Sequence, residues 1–240
     1  SANHAVAQAA MLIRHGCVEV ALAGGTDAPF TVGLLRAWEA LRVLSGDGCR
    51  PFSRDRNGTV LGEGAGMLVL ESEPHALGRG ARVYAELAGF GMSSDASHIT
   101  DPSAQGAEAA IRSALRDAGL ATMDVDYVNA HGTGTRANDR TETRAIRAAF
   151  GAHADALLVS SSKGALGHAL GASGALELIA TVLALRHGVV PPTLGLAVPG
   201  GGCDLDYVPN VARESPIRSA LSNSFAFGGL NAVLAVRRFP

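Results

Sequence analysis

Apolar residues along the chain recur with helical spacing in some segments and form short strand-like runs in others. Between residues 3 and 15 they fall at Val6, Ala9, Ala10 and Ile13, on one face of a helix that Gly16 ends. Further helices are predicted at 32–43, 104–118, 139–150 and 171–187. Strands are predicted at 18–23, 65–71, 82–90, 125–130, 156–160, 205–208, 219–222 and 232–237. Alternating strands and helices are typical of an α/β layered fold.

The chain is long enough for one large domain or two small ones, since it has 240 residues. Glycine and charge separate two strand-rich regions near residues 78–80, so we expect one unit at 1–79 and a second at 80–240. No short-period repeat and no low-complexity linker interrupts this organisation.

Composition and charge exclude several functional classes. Hydrophobic residues make up 47% and charged residues 18%, which argues against disorder. A formal net charge of -2 gives no reason to expect nucleic acid or an anionic membrane surface as a partner. The longest apolar stretch, 176–185, is interrupted by Glu177 and is too short to cross a bilayer. The three cysteines lack CxxC spacing, which gives no support for a zinc site and fits reduced thiols in the cytoplasm.

Two glycine-rich segments each present a histidine directly after a predicted strand. Residues 129–135 contain His131, and residues 160–172 contain Lys163 and His168. One interpretation of the first segment is a buried histidine that caps a strand; the other is an imidazole that points into a cleft at the carboxyl edge of the sheet. The second segment favours the cleft, because two such turns indicate one shared site.

A third segment, residues 222–231, places Phe225 and Phe227 before a pair of glycines. It is either an ordinary β-turn with core phenylalanines or a hinged loop whose phenylalanine gates a pocket. Residues 62–66 are also glycine-rich, but they precede a predicted strand, which makes a dinucleotide-binding loop a poor interpretation.

Taken together, these segments resemble the β-ketoacyl-acyl-carrier-protein synthase family. The resemblance is to its elongating type, including the nodulation protein E-like and type II polyketide branches. It runs over the whole chain and rests on the segments 23–27, 50–55, 58–71, 90–95, 131–135, 163–171 and 223–231, which fall in the family order. Gly164 stands where many members have Ser, and Leu230 where many have Thr. These departures concern sub-family and acyl preference, not reaction type.

The resemblance implies a thiolase-like layered fold, α-β-α-β-α, with most of its N-terminal half outside the chain. It also implies decarboxylative Claisen condensation of malonyl-carrier protein with an acyl group held on a cysteine. That cysteine is expected just before Ser1, because none of Cys17, Cys49 and Cys203 matches it. We therefore expect residues 1–240 alone to catalyse no condensation.

The family's functional residues can be carried over onto matching positions. The catalytic set is His131 and His168, which would donate hydrogen bonds to an enolate oxygen, and Lys163 paired with Glu177. Residues expected to contact the substrate or gate its pocket are Thr133, Thr135, Phe225, Phe227 and Asp95. No metal is expected in catalysis, although some members hold a structural cation at the positions of Asn129, Glu177, Ser222 and Asn223. No cofactor is expected beyond the phosphopantetheine that carries the substrates.

The implied partners are an acyl carrier protein and a second ketosynthase-like subunit, in a homodimer or a heterodimer. A non-catalytic partner subunit like the chain-length factors is the alternative function, and intact His131, Lys163 and His168 argue against it. A biosynthetic thiolase would need a cysteine in a glycine-rich loop of the C-terminal half, and no cysteine here sits in a suitable one.

Overall fold

A computed structural model describes residues 1–239 of the chain. Its helices are α1 (Ala2–Arg14), α2 (Val32–Ala40), α3 (Glu73–Gly78), α4 (Ala104–Ala118), α5 (Arg136–Phe150), α6 (Lys163–Leu166) and α7 (Ser173–His187). Its strands are β1 (Val20–Asp27), β2 (Gly64–Glu71), β3 (Glu86–Ser94), β4 (Tyr127–Asn129), β5 (Leu158–Ser160), β6 (Val189–Val190), β7 (Arg213–Glu214), β8 (Ser219–Ala226) and β9 (Leu230–Arg237).

The main sheet has five strands in the order β3-β9-β8-β4-β5. Strand β4 runs parallel to β5 and β8, whereas β8 and β9 form an antiparallel hairpin and β9 pairs antiparallel with β3. Strands β8 and β9 are buried along almost their whole length, because helices cover both faces of the sheet. The carboxyl ends of β4 and β5 therefore lie side by side at one edge.

Two hydrophobic cores occupy the two faces of this sheet. Alternate strand residues divide between them: Leu221 and Val233 pack with α4 and α5, and Ala220 and Leu234 pack with α1 and α7. The second core also takes in residues of β1 and β2, which form a separate two-stranded antiparallel sheet. The layers therefore run helix, sheet, helix, sheet. Within residues 1–239, no helix is both long enough and apolar enough to span a membrane.

The structure corrects the sequence prediction at several elements. Residues 205–208 are not a strand: Asp206 makes a single bridge to Leu158, and a left-handed φ of 47° at Val208, directly before a proline, interrupts extended pairing there. The strand predicted at 82–90 begins at Glu86 and runs to Ser94. Helix α2 ends at Ala40, short of the predicted residue 43. Helix α3 was not predicted.

Candidate active site

A cleft of about 380 Å³ lies beyond the carboxyl ends of β4 and β5. The loops that follow these two strands, the β8–β9 hairpin and the segment 95–102 form its walls, and Ser1 at the start of α1 also lines it. Open α/β sheets bind ligands at this kind of edge. The cleft is therefore where the sequence motifs would be expected to act together.

The two motif histidines meet in this cleft. The ring centroids of His131 and His168 are 5.4 Å apart, with their planes at 83°. Both line the cleft together with Ser1. The expectation that the two turns form one shared site is confirmed in its geometry.

Glu142 on α5 holds the His131 turn in place. Its carboxylate accepts the backbone N–H groups of His131 and Gly132, both at 2.8 Å. It also accepts the side-chain amides of Asn223 at 3.1 Å and Asn138 at 3.3 Å. Burial raises the pKa of Glu142 above its usual range. The sequence analysis did not identify Glu142 as a functional residue. The only feature that could have indicated it is an acidic side chain in the predicted helix that follows the His131 segment.

We expect Glu142→Gln to loosen the His131 turn. The amide supplies one acceptor oxygen and turns its NH2 toward donors that need an acceptor, which costs roughly 1–3 kcal/mol of unfolding free energy. Urea unfolding followed by circular dichroism measures that loss. Glu108→Gln, at an exposed ion pair with Arg112 on α4, is the control and should change stability by less than about 1 kcal/mol. Equal effects of the two substitutions would contradict this role for Glu142.

The second histidine is fixed from a different side. His168 donates its backbone N–H to the carbonyl of Val60 at 2.7 Å and accepts the N–H of Gly62 at 3.0 Å. Gly62 has to be glycine, because an added Cβ would lie 2.4 Å from the carbonyl oxygen of Leu166. Nδ1 of His168 lies 3.0 Å from the hydroxyl of Ser173. A hydroxyl that donates to Nδ1 leaves the proton of the neutral ring on Nε2.

Lys163 fixes the tautomer of His131 in a similar way. Its ammonium is 1% exposed, forms an ion pair with Glu177, and donates to the carbonyl oxygen of His131 at 2.6 Å. It also lies 3.4 Å from Nδ1 of His131, which makes Nδ1 the acceptor and Nε2 the protonated nitrogen. The predicted pairing of Lys163 with Glu177 is therefore observed. Burial raises the pKa of Glu177, and the adjacent ammonium opposes that rise.

Both imidazoles are neutral at physiological pH. Burial and the Lys163 ammonium lower the pKa of His168 to about 3. Burial, Lys163 and His168 lower the pKa of His131 well below its usual value. Two neutral rings with N–H groups at Nε2 are hydrogen-bond donors that can receive a developing negative charge without first losing a proton.

We expect neither ring to titrate between pH 5 and pH 8. With ¹³Cε1-labelled histidine, the His131 and His168 resonances should keep constant chemical shifts over that range. The same resonances in urea-unfolded protein should titrate near pH 6.5, the ordinary value for histidine. A midpoint above pH 5.5 for either folded resonance would show that the site carries a charged imidazolium.

The remaining predicted residues reach the cleft in different ways. The hydroxyls of Thr133 and Thr135 lie 2.9 Å apart on its wall. Phe225 is buried in β8 with its ring centroid 5.9 Å from that of His131. Phe227 is exposed at the hairpin and lines the cleft. Asp95 also lines it. That these residues contact substrate stays a prediction. Their positions on the wall of the cleft are compatible with it.

The carboxylate of Asp95 accepts hydrogen bonds from other parts of the protein. It accepts the side-chain amide of Asn231 at 2.7 Å and the backbone N–H of Ser103 at 2.9 Å, and its own N–H donates to the carbonyl of Gly229 at 2.9 Å. These bonds join the segment 95–102 to the β8–β9 hairpin. Asp95 thereby fixes the mouth of the cleft.

Four buried oxygens beside the site lack a hydrogen-bond partner within residues 1–239. They are Oδ1 of Asn129, Oε2 of Glu177, Oγ of Ser222 and Oδ1 of Asn223. Asn129 and Ser222 are neighbours on adjacent strands, and the Asn129 amide donates to the carbonyl of Glu177. Oxygen ligands of this kind suit a hard cation. These four residues therefore fit the structural cation that some family members hold at these positions, and they do not line the cleft described above. Residues 1–239 contain no metal-binding cluster of three or more His, Cys, Asp or Glu residues.

Two family descriptions match this chain. "Beta-ketoacyl synthase, N-terminal domain" matches residues 1–76, and "Beta-ketoacyl synthase, C-terminal domain" matches residues 84–197. The chain belongs to the β-ketoacyl synthase family. Nodulation protein E of Rhizobium sp. (strain N33) is 58% identical to this chain over 238 residues. The 3-oxoacyl-[acyl-carrier-protein] synthase 2 of Coxiella burnetii is 48% identical over 243 residues. Each alignment covers 98–99% of the chain and 59% of the relative.

Solved structures give the same family and confirm the thiolase-like fold. "The ishigamide ketosynthase/chain length factor" matches with a TM-score of 0.96 and 44% identity, over 100% of this chain and 59% of that one. "AntDE:AntF (apo): type II PKS acyl-carrier protein in complex with its ketosynthase bound to the hexaketide" matches with a TM-score of 0.97 and 38% identity, over 100% and 61%. The chain thus spans about three-fifths of the length of these relatives.

Proposed function

We propose that the protein containing this chain is a 3-oxoacyl-[acyl-carrier-protein] synthase. It would catalyse decarboxylative Claisen condensation between malonyl-carrier protein and an enzyme-bound acyl group. The observation that carries the proposal is the pair of neutral imidazoles, His131 and His168, 5.4 Å apart in one cleft with Nδ1 of each engaged by the protein. Two Nε2–H donors aimed at one oxygen would stabilise an enolate.

The first half-reaction moves the acyl group onto a thiol. A thiolate attacks the carbonyl carbon of the acyl-carrier thioester, the bond between that carbon and the carrier sulfur breaks, and the carrier leaves as a thiolate that takes a proton from water. No cysteine of the described residues lines the cleft, and Ser1 does. We place the thiol at the N-terminal end of α1, beside Ser1, where the helix dipole favours a thiolate.

The second half-reaction forms the new carbon–carbon bond. Loss of CO2 from the malonyl thioester leaves an enolate whose oxygen accepts hydrogen bonds from His131 and His168. The enolate carbon attacks the acyl thioester carbon, a carbon–carbon bond forms, and the cysteine thiolate leaves. Lys163 keeps His131 in the required tautomer throughout.

Substrates would enter on the phosphopantetheine arm of a carrier protein, past Thr133 and Thr135, with no further cofactor. A ketosynthase in the AntDE:AntF structure binds an acyl carrier protein, and the ishigamide protein is a ketosynthase/chain length factor. We propose the same carrier partner, a ketosynthase-like second subunit and a cytoplasmic location for this protein.

The test is reconstitution of the intact protein with acyl-carrier and malonyl-carrier protein. Mass spectrometry of the carrier should detect a 3-oxoacyl product two carbons longer than the acyl donor. If product forms only when a second, cysteine-bearing ketosynthase is added, and the protein itself is never acylated, it is a non-catalytic partner subunit. That outcome would overturn the proposal.

A further inference from the structure

A second cavity lies at the surface near the start of α5 and is lined almost entirely by arginine. Its volume is about 260 Å³, and its lining residues are Arg54, Arg56, Arg136, Arg140 and Gly201. We call this cavity the arginine pocket. None of its five residues lines the catalytic cleft. Sites for drug-sized ligands occupy roughly 300–1,000 Å³, so the arginine pocket suits a smaller ligand.

Three of the four guanidinium groups are exposed and have no protein partner within residues 1–239. The side chains of Arg54, Arg136 and Arg140 form no ion pair and no hydrogen bond with that part of the chain. Asp55 and Asp204, two exposed acids of the adjoining loops, form ion pairs with other arginines. The positive charge of the pocket is therefore not neutralised from its rim.

Arg56 is the buried member of the group, and the protein fixes its orientation. Its side chain is 6% exposed and forms an ion pair with Asp139 at 3.4 Å. It donates to the carbonyl oxygens of Ser53 at 2.8 Å, Thr135 at 3.3 Å and Arg136 at 3.3 Å. These bonds leave a second N–H on each terminal nitrogen without a partner among the described residues. A buried guanidinium oriented in this way recognises an oxyanion through paired hydrogen bonds.

A glycine-rich loop, residues 200–202, allows the arginines to pack closely. An added Cβ on Gly200 would lie 2.1 Å from Nη1 of Arg56, and one on Gly202 would lie 3.1 Å from Cγ of Arg140. Gly202 also has φ +75°, which strains any residue with a side chain. The loop thus brings backbone against two guanidinium side chains and supplies no carboxylate to either.

The charges of the arginine pocket oppose folding unless an anion lies among them. Arg136 and Arg140 are one turn apart on α5, and like charges at that spacing destabilise a helix. Arg136 is also the first residue of α5, where the helix dipole disfavours positive charge. A bound anion offsets both effects and accepts charge-assisted hydrogen bonds from the guanidinium groups.

We propose that the arginine pocket binds a small ligand that carries at least two negative charges on phosphate, such as a phosphate monoester or a diphosphate. Asp139 offsets the charge of Arg56, which leaves the charges of Arg54, Arg136 and Arg140 for the ligand. The phosphopantetheine arm is a poorer match, because its phosphate is a diester with a single negative charge. The proposal does not depend on the condensing function.

Isothermal titration calorimetry with sodium pyrophosphate, at constant ionic strength, tests the site in the intact protein. Wild type should bind pyrophosphate, and Arg54→Gln and Arg140→Gln should each raise Kd by about 10- to 100-fold, because each removes a charge-assisted hydrogen bond. Arg144→Gln is the matched control: Arg144 is exposed one turn further along α5 and does not line the pocket. Its Kd should stay within about 2-fold of wild type. Absence of binding to wild type, or an equal loss in Arg144→Gln, would overturn the proposal.

Thermal unfolding separates ligand binding by Arg140 from a purely structural role. In NaCl without phosphate, Arg140→Gln should unfold at the same temperature as wild type or higher, since it removes like-charge repulsion. With pyrophosphate added, wild type should gain stability and become the more stable of the two. If Arg140→Gln is less stable by the same amount in both media, Arg140 serves the fold alone and the proposal is wrong.

Binding of carrier protein distinguishes a small ligand from the other possible sources of negative charge. Affinities of wild type and Arg140→Gln are compared for carrier protein with and without its phosphopantetheine arm. We expect the substitution to change neither affinity. A loss confined to the form with the arm would assign the pocket to the phosphopantetheine phosphate. A loss with both forms would assign it to the carrier surface, and either result would overturn a small phosphorylated ligand.

Discussion

His168→Ala in the intact protein should slow malonyl decarboxylation by about 10²–10³-fold and leave transfer of the acyl group to the thiol largely intact. Decarboxylation builds negative charge on the thioester oxygen, and His168 is one of two side-chain donors placed to meet it. Removing one preorganised donor of this kind costs about 2.7–4 kcal/mol of transition-state stabilisation. Acyl transfer needs a nucleophilic thiolate, which the dipole of α1 supports without His168.

The two half-reactions can be followed separately. Intact-protein mass spectrometry measures formation of the acyl-enzyme, and CO2 release measures decarboxylation. His15→Ala, at the exposed C-terminal end of α1, is the control and should change neither rate. Both rates could instead fall equally in His168→Ala while circular dichroism is unchanged. His168 would then set the protonation state of the thiol, and the proposal that it acts only in decarboxylation would be wrong.

The convergence of the histidines could be predicted because it follows from a general property of sheets. His131 and His168 each follow a short strand, and parallel strands place their carboxyl ends at one edge. Strands β4 and β5 are indeed adjacent and parallel. Long periodic segments were also predicted well: helix α4 has its predicted bounds, and β2 differs by one residue.

The supporting contacts could not be read from the sequence, because they join distant segments without a local signal. Trp38 stacks on Phe227 from a distant part of the chain, and no local pattern around either residue marks that contact. Glu142 supports the His131 turn through backbone groups, which carry no residue-specific pattern. The helix around it was predicted, but the burial of its carboxylate depends on how α5 packs against the sheet.

Lys163→Met should lower the unfolding free energy by about 3–5 kcal/mol, because it leaves the buried Glu177 carboxylate without its cation. The loss should depend on pH. Burial raises the pKa of folded Glu177 above its unfolded value, and without the ammonium that pKa rises further. Below the unfolded pKa the carboxyl is protonated in both states, so the penalty grows as pH rises above that value. The variant should therefore lose more stability at pH 8 than at pH 6, as measured by urea unfolding.

The double variant Lys163→Met/Glu177→Met separates stability from catalysis. Replacing both members of a buried ion pair with apolar side chains of similar size is often neutral, so stability should return to within about 1 kcal/mol of wild type and lose the added pH dependence. Decarboxylation should stay impaired, because Nδ1 and the carbonyl of His131 have lost the ammonium that fixes the ring. Recovery of both stability and CO2 release would show that the Lys163–Glu177 pair serves the fold alone and takes no part in positioning His131.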